Sequence, residues 1–166
     1  MLIYHPALDA YHCVFRVLAL LSECDEMEKD RLQILDFVLC FPSVAAAFRL
    51  PPGSATAKKA MATSASPYRA PINPKGIFIS LTKTQDAAIA CLEAAALLRR
   101  NQADDIDVKR ADALLPSELK NRVDALKEFE APFFKNMLPL LMSLPLRGPD
   151  GLKARSGLAE YRYDAV

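Results

Sequence analysis

Glycine is scarce in this chain, and its scarcity limits the folds that the chain can adopt. Only five of the 166 residues are glycine, whereas hairpin-rich β folds need residues with positive φ at their tight turns. Hydrophobic residues make up 52% of the chain and charged residues 25%, a balance typical of a globular domain with its own core. The sequence therefore predicts a single, mainly helical domain over residues 1–166.

Hydrophobic periodicity predicts a helical pair in residues 1–48. Asp9 is the candidate N-cap of the first helix, and Pro42 stops the second. The apolar positions of the second helix are too widely spread for one face, which indicates burial on more than one side. The predicted bounds are 9–23 for the first helix, 23–28 for an acidic polar turn and 27–41 for the second helix.

Residues 49–76 differ in composition from the segments around them. They contain five prolines and no acid, and they are interpreted as an irregular basic linker with at most one helical turn near residues 57–62. The stretch 76–81 alternates and is rich in β-branched residues, so it is predicted to be a strand. A second alternating stretch at residues 105–110 is predicted to pair with it.

Two further helices complete a winged-helix-like part over residues 77–131. They are predicted at residues 85–100 and from Pro116 to about Phe129. Residues 132–166 form an apolar, proline-broken helical segment followed by a tail. The predicted fold class is therefore mainly α with a small two-stranded β element, similar to a winged helix.

The sequence contains no recognisable catalytic, cofactor-binding or metal-binding motif. His5, His12 and Cys13 do not have zinc-ligand spacing, and adjacent residues on a helix cannot form a nucleophile–base pair. No glycine-rich phosphate-binding motif is present. We therefore predict that the chain is not an enzyme and has no cofactor. A small enzyme that uses Cys13 or His5 is the alternative.

The charge of the chain is distributed unevenly. Residues 42–85 contain six basic residues and no acidic one, and such a segment can attract nucleic-acid phosphates without precise geometry. The competing interpretation is a hydrated loop. The predicted helix 85–100 carries almost no base-reading side chain except Gln85, which favours a packing or protein-binding role. The candidate DNA-phosphate contacts are Lys58, Lys59, Arg69 and Lys75.

The C-terminal third has more apolar surface than a proline-broken helix hides easily, and the tail is rich in tyrosine and arginine. These residue types are common at binding hot spots. The apolar stretch is either a partner surface or the main core, and the tail either binds a partner or folds back on its own domain. The candidate interface residues are Phe133, Phe134, Leu140, Leu141, Arg155, Tyr161, Arg162 and Tyr163.

The cysteine pattern and the N-terminus predict the cellular compartment of the protein. Four widely spaced cysteines, most of them in apolar helical patterns, are typical of reduced thiols. The N-terminus does not have the features of a signal peptide, and no apolar run approaches the length of a membrane span. We expect a cytoplasmic protein that does not use the membrane.

Three stretches of the sequence resemble the middle component 5 family of ABC-three-component systems. The resemblance extends loosely to residues 77–100 but not to residues 53–75 or 101–115. The stretches are Met1–Pro6 with Tyr11–Arg16, Asp30–Phe37 with Phe41-Pro42, and Gly148–Asp164.

The resemblance implies a role inside a larger complex. Members of the family are encoded beside an SMC-like ABC ATPase and an effector, often a nuclease, in bacterial anti-phage and anti-plasmid systems similar to Lamassu. A winged-helix-like adaptor would bridge the ATPase heads and the effector and keep the effector inactive until the ends or structures of foreign double-stranded DNA are sensed. ATP, Mg²⁺ and the nuclease metal would belong to the partners. The residues also allow a second hypothesis, in which the protein is a free, dimeric winged-helix regulator that binds DNA.

Overall fold

The chain is mainly helical, with one small antiparallel sheet, as the sequence predicts. A computed structural model describes residues 6–64, 70–101, 107–111 and 114–160. A 3₁₀ turn precedes the first helix, and a π-helical turn precedes α7. In chain order the elements are the 3₁₀ turn Pro6–Leu8, α1 Ala10–Leu21, β1 Glu26–Glu28, α2 Lys29–Cys40, α3 Pro42–Ala46, α4 Ala55–Ser64, α5 Pro74–Ala94, β2 Leu98–Arg100, β3 Asp107–Arg110, α6 Ser117–Phe129, the π turn Phe133–Met137, α7 Leu138–Ser143 and α8 Leu152–Ser156.

Helix α1 is the central element of the core. Asp9 caps it as predicted, because its Oδ1 accepts a hydrogen bond from the backbone N–H of Tyr11 at 2.9 Å. Every residue from Phe15 to Leu21 is buried, since α2, α5 and α6 all pack around this helix. Helix α2 is likewise buried from Arg31 to Leu39, which confirms the prediction of burial on more than one side.

Strand β1 lies where the sequence predicted a polar turn, so that part of the prediction is wrong. Its one apolar residue, Met27, is buried and lies opposite Val108 of β3. Glu26 and Glu28 flank it. A three-residue strand with one inward side chain is too short to show alternation, and its acidic composition is typical of a turn.

Helix α5 corrects the strand predicted at residues 76–81. Asn73 caps the helix, because its Oδ1 accepts a hydrogen bond from Gly76 N at 3.0 Å, and Pro74 occupies the first turn. The short β-branched run is compatible with both the two-residue period of a strand and the 3.6-residue period of a helix. The N-cap at Asn73 and burial against the core favour the helix. The helix ends at Ala94, before the predicted residue 100. Its buried residues follow helical spacing: Phe78, Leu81, Gln85, Ala88, Ile89 and Leu92.

The sheet has the strand order β1-β3-β2, and both pairings are antiparallel. Strand β3 confirms the strand predicted at residues 105–110 within its described part. The predicted partner is wrong, because residues 76–81 are helical, and the partners are β1 and β2. Leu98 and Val108 are buried, so this sheet covers the core on one side.

Helix α4 corrects the irregular segment predicted over residues 49–76. Alanine, the strongest helix former, occupies four of its ten positions. Ala57 and Met61 are buried and anchor α4 against α3 and the π turn. The expected helical turn near residues 57–62 is thus part of a longer helix.

The proline-rich C-terminal segment is helical from residue 133 to residue 143 rather than divided at Pro139. The backbone N–H of Leu138 bonds to the carbonyl of Phe133, which makes one wide π turn. Proline lacks an N–H and collides with the preceding turn of a regular helix. The wide turn ahead of Pro139 relieves that collision and keeps α7 in line with the core.

Candidate interaction surface

A buried polar network joins α1, α2 and α5. Arg16 Nε lies 2.5 Å from Asp36 Oδ1, and Gln85 Nε2 donates to Asp36 Oδ2 at 2.8 Å. Asp36 is fully buried, so its charge depends on these partners. Burial lowers the pKa of the Arg16 guanidinium, but the charge of Asp36, its hydrogen bond to Arg16 and the nearby thiols of Cys40 and Cys13 together outweigh burial and raise that pKa. The network fixes three helices relative to one another.

Cys13 lies beside this network and is a poor nucleophile. Its Sγ is 3.9 Å from Asp36 Oδ2. Burial raises the pKa of the Cys13 thiol well above its ordinary value, and the negative charge of Asp36 raises it further. Because the thiolate is the reactive form, the geometry disfavours the thiol-enzyme alternative.

The histidines and acids do not form a metal-type cluster in the part of the chain that the structure describes. His12 is exposed on α1, with its ring edge-on to Tyr11, and His5 lies outside the described residues. Among the described helices, none combines the length and the apolar composition needed to cross a bilayer.

The C-terminal segment is tied to α2 by two charged side chains. Arg31 is buried and donates from Nη1 to the carbonyls of Leu141 and Leu144 at 3.0 and 2.9 Å, while its Nε bonds to Glu28 at 2.7 Å. It therefore caps the C-terminal end of α7. Lys153 of α8 forms a 2.6 Å ion pair with Asp30.

Arg155, a predicted partner contact, is used inside the chain. Its Nε and Nη1 donate to the carbonyls of Asp150 and Arg49, each at 2.5 Å, and its Nη2 lies 2.8 Å from Asp150 Oδ1. Leu158 is buried. Up to that residue, the tail folds back on its own domain. The predicted contacts Tyr161, Arg162 and Tyr163 lie outside the described residues.

The apolar residues predicted as partner contacts form part of the core. Phe133, Phe134 and Leu141 are 1%, 8% and 0% exposed, so a partner cannot reach them in this conformation. The structure shows the other interpretation of this stretch, the main core. Leu140 is half-buried and lines a shallow depression of about 360 Å³ beside Lys135.

The basic segment places its lysines on the surfaces of α4 and α5. Lys59, Lys75 and Lys83 are exposed and Lys58 is half-buried. Within the described ranges, these four ammonium groups form no ion pair or hydrogen bond. Arg69 lies outside those ranges. Cations elsewhere in the chain mostly have carboxylate partners: Arg16–Asp36, Lys29–Asp86, Arg31–Glu28, Arg100–Glu93, Arg110–Asp25, Arg122–Glu118, Lys127–Glu23, Lys153–Asp30 and Arg155–Asp150.

Lys75, Ile79 and Lys83 recur every four residues on α5, and we call them the α5 stripe. All three are exposed, Ile79 to 57%. Ile72, two residues ahead of the helix, is fully exposed. Sequence reasoning missed the stripe because it divided these residues among three segments: Lys75 in the linker, Ile79 in a strand at 76–81, and Lys83 ahead of a helix that begins at residue 85. Once the region is recognised as a helix, i, i+4, i+8 spacing puts the three on one face.

Exposed apolar side chains also occur at both ends of α6. Leu114 precedes the helix and is almost fully exposed, and Phe129 at its end is 81% exposed. Phe129 borders a groove of about 420 Å³. The other residues lining that groove are Leu39, Cys40, Pro42, Ser43, Ser64, Glu130 and Pro132.

In the described part of the chain, the motifs behind the resemblance include Arg16, Arg31 and Asp36, which hold helices together, and the comparison with protein families agrees with the resemblance. A family model described as ABC-three component (ABC-3C) system Middle Component 5 matches residues 2–164. The chain belongs to this family. Membership makes it a component of an ABC-three-component system. No curated protein and no solved structure matches it.

The terminal motif of this middle component has a clear structural basis. Gly148 has φ +82°, a conformation that side chains with a Cβ rarely adopt. A Cβ on Gly151 would lie 2.2 Å from the carbonyl oxygen of Arg147, so only glycine fits where the chain turns into α8. The motif therefore positions Lys153 and Arg155 against α2 and Arg49.

Proposed function

We propose that this middle component is a non-catalytic adaptor that bridges an SMC-like ABC ATPase and an effector, often a nuclease, in bacterial defence against phages and plasmids. The match to the family over residues 2–164 carries the proposal. The distribution of charged side chains also supports the adaptor proposal. The buried charged groups Arg16, Arg31 and Asp36 hold helices together, whereas the α5 stripe stays exposed.

The order of elements supports a winged-helix-like body for the adaptor. Helix α1, strand β1 and helices α2 and α5 are followed by β2 and β3, and the sheet order is β1-β3-β2. Helices α3 and α4 form an insertion between α2 and α5. In this arrangement α5 takes the place of the recognition helix.

Helix α5 is poorly equipped to read bases. Gln85, its candidate base-reading side chain, is buried and donates to the carbonyl of Gln33 and to Asp36. Asp86 adds a negative charge beside it. This composition supports a protein partner for α5 over sequence-specific DNA recognition.

Co-purification tests the adaptor role. The chain, tagged and co-expressed with its chromosomal neighbours, is expected to recover an SMC-like ATPase in fixed ratio, measured by mass analysis of the bound proteins. Recovery of the chain alone would contradict the proposal.

The tail is proposed to contribute to assembly through Tyr161 and Tyr163. Changing both to Ala should weaken assembly, because tyrosine supplies rigid contact area at interfaces. A pull-down with unchanged stoichiometry and unchanged resistance to salt would contradict this part of the proposal.

Direct contact with DNA phosphates is the second candidate function, and the exposed lysines favour it. Lys58, Lys59 and Lys75 make no ion pair with any described residue, and Arg69 lies between them in sequence. The isolated chain would then shift duplex DNA at low salt and lose the shift at moderate salt. Absence of a shift at low salt would remove this candidate.

A further inference from the structure

We infer that the α5 stripe is a docking surface for an acidic segment of a partner subunit that carries aliphatic side chains. The inference rests on the proposed adaptor function and adds to it the location of one contact and the chemistry of the partner. Lys75, Ile79 and Lys83 form the contact on this chain, with Ile72 at the N-terminal end.

Uncompensated charge is the first argument for an acidic partner. Residues 42–85 contain no acidic residue. The nearest acid along α5, Asp86, is directed to α2, where its Oδ1 lies 3.0 Å from both Lys29 Nζ and Gln33 Nε2. The two stripe lysines are eight residues apart, a rise of about 12 Å along the helix. Two carboxylates spaced by two helical turns would match them.

The isoleucines decide between a protein and a nucleic acid. Ile79 lies between the two lysines and exposes more than half of its surface, and Ile72 is fully exposed. Phosphates could neutralise the lysines, but the phosphate backbone would leave the isoleucines in water. An apolar centre with a charged rim is the arrangement found in protein interfaces, so a protein segment satisfies both kinds of side chain.

The stripe can be altered without disturbing the fold. In the described part of the chain, neither lysine side chain makes a hydrogen bond or ion pair, and the core-facing residues of α5 are different ones, including Phe78 and Leu81. Loss of binding in a stripe variant would therefore report the surface itself.

The test uses charge reversal in the co-purified complex. Lys75→Glu/Lys83→Glu is compared with Lys109→Glu/Lys120→Glu, which makes the same change in net charge at exposed positions of β3 and α6. Ile79→Ser is compared with Leu114→Ser, another exposed aliphatic position. Affinity for the partner is measured with each purified, folded variant, and folding is verified by circular dichroism.

We expect each stripe variant to weaken partner binding about tenfold or more, and each control to change it less than about twofold. A photocrosslinking residue in place of Ile79 should attach to a partner peptide that contains both acidic and aliphatic residues. Equal affinity of stripe and control variants, with the wild-type complex intact, would overturn the inference and leave the adaptor function standing.

Two other outcomes also give a clear answer. If the chain alone binds duplex DNA, and the stripe variants lose that binding while keeping the partner, the stripe is a phosphate surface and the inference is wrong. If the wild-type chain recovers no partner at all, the proposed function fails and the inference fails with it.

Discussion

Helices α2 and α5 use their charged side chains in opposite ways. Along α2, every charged residue is paired within the chain. Along the first half of α5, Lys75 and Lys83 are exposed and make no ion pair with the residues that the structure describes. The α2 pairs are Lys29–Asp86, Asp30–Lys153, Arg31–Glu28 and Asp36–Arg16.

This difference separates the groups that build the fold from those available to a partner. A buried charge without its counterion is costly, so α2 tolerates few changes. An exposed lysine contributes little to folding. The stretch Asp30–Phe37, which resembles the family, lies on α2. On the α5 stripe, Ile79 and Lys83 belong to the region of looser resemblance, and Lys75 lies outside the resemblance. Family motifs therefore point to the scaffold more than to the proposed docking surface.

The largest expected effect is the loss of the Asp36 carboxylate. Asp36→Ala leaves Arg16 buried without its counterion and Gln85 Nε2 with one acceptor fewer. We expect the free energy of unfolding to fall by about 3–5 kcal/mol, measured by urea denaturation. The double variant Arg16→Met/Asp36→Leu should recover much of the loss, because both charges are then removed. A loss below about 1 kcal/mol for the single variant would contradict a structural role for the pair.

Removing one cation from each helix tests the comparison of α2 with α5 directly. Arg31→Met removes two hydrogen bonds to the end of α7 and the bond to Glu28, so we expect a loss of about 2–3 kcal/mol. Lys83→Met removes an exposed charge and should change stability by less than about 0.5 kcal/mol. Equal losses in urea denaturation would break the contrast between α2 and α5.

Much of the helical framework could be predicted from the sequence. The periodicity of α1 and α2, with Asp9 and Pro42 as boundaries, was sufficient because local and tertiary preferences agree there. Strand β1 could not be found, since its pairing with Val108 depends on residues far along the chain. The run Ile77-Phe78-Ile79 suits a strand and a helix equally, although Asn73-Pro74 carried a helix-start signal.

The candidate surface could be predicted only in part. The excess of cations in residues 42–85 is visible in the sequence. Which lysines stay exposed and unpaired depends on tertiary structure, because Asp86 is one turn from Lys83 but binds Lys29 of α2. The same reason explains Phe133 and Phe134, whose apolar character suits an interface and a core equally until packing is known.

A substitution after the C-terminal end of α5 should have a smaller effect on stability, and in the opposite direction. Ala96 has φ +55°, in the left-handed region, where an L-residue is strained and glycine is not. We expect Ala96→Gly to raise the free energy of unfolding by about 0.5–1 kcal/mol, measured by thermal and urea denaturation. Ala95, with φ −82°, is the matched control, and Ala95→Gly should give no gain. A gain of the same size at both positions would show that the backbone conformation of Ala96 is not the cause.

The smallest effect concerns Glu28, the acid that faces Arg31. Burial raises the pKa of Glu28, but the hydrogen bond and charge of Arg31, together with a backbone hydrogen bond and the charge of Arg147, outweigh burial and hold the pKa below 4.5. A carboxylate with a lowered pKa in the folded state adds stability at neutral pH, and this stability is lost as the pH falls through 4.5 towards the folded value. Glu28→Gln should therefore lose less stability than the wild type between pH 7 and pH 4 in urea titrations. Glu26→Gln, which removes one carboxylate at an exposed position of the same strand, is the matched control. If the pH profiles of Glu28→Gln and the wild type were parallel, the bond between Glu28 and Arg31 would make no electrostatic contribution to stability. The ion pairs of α2 would then contribute less to stability than the comparison with α5 requires.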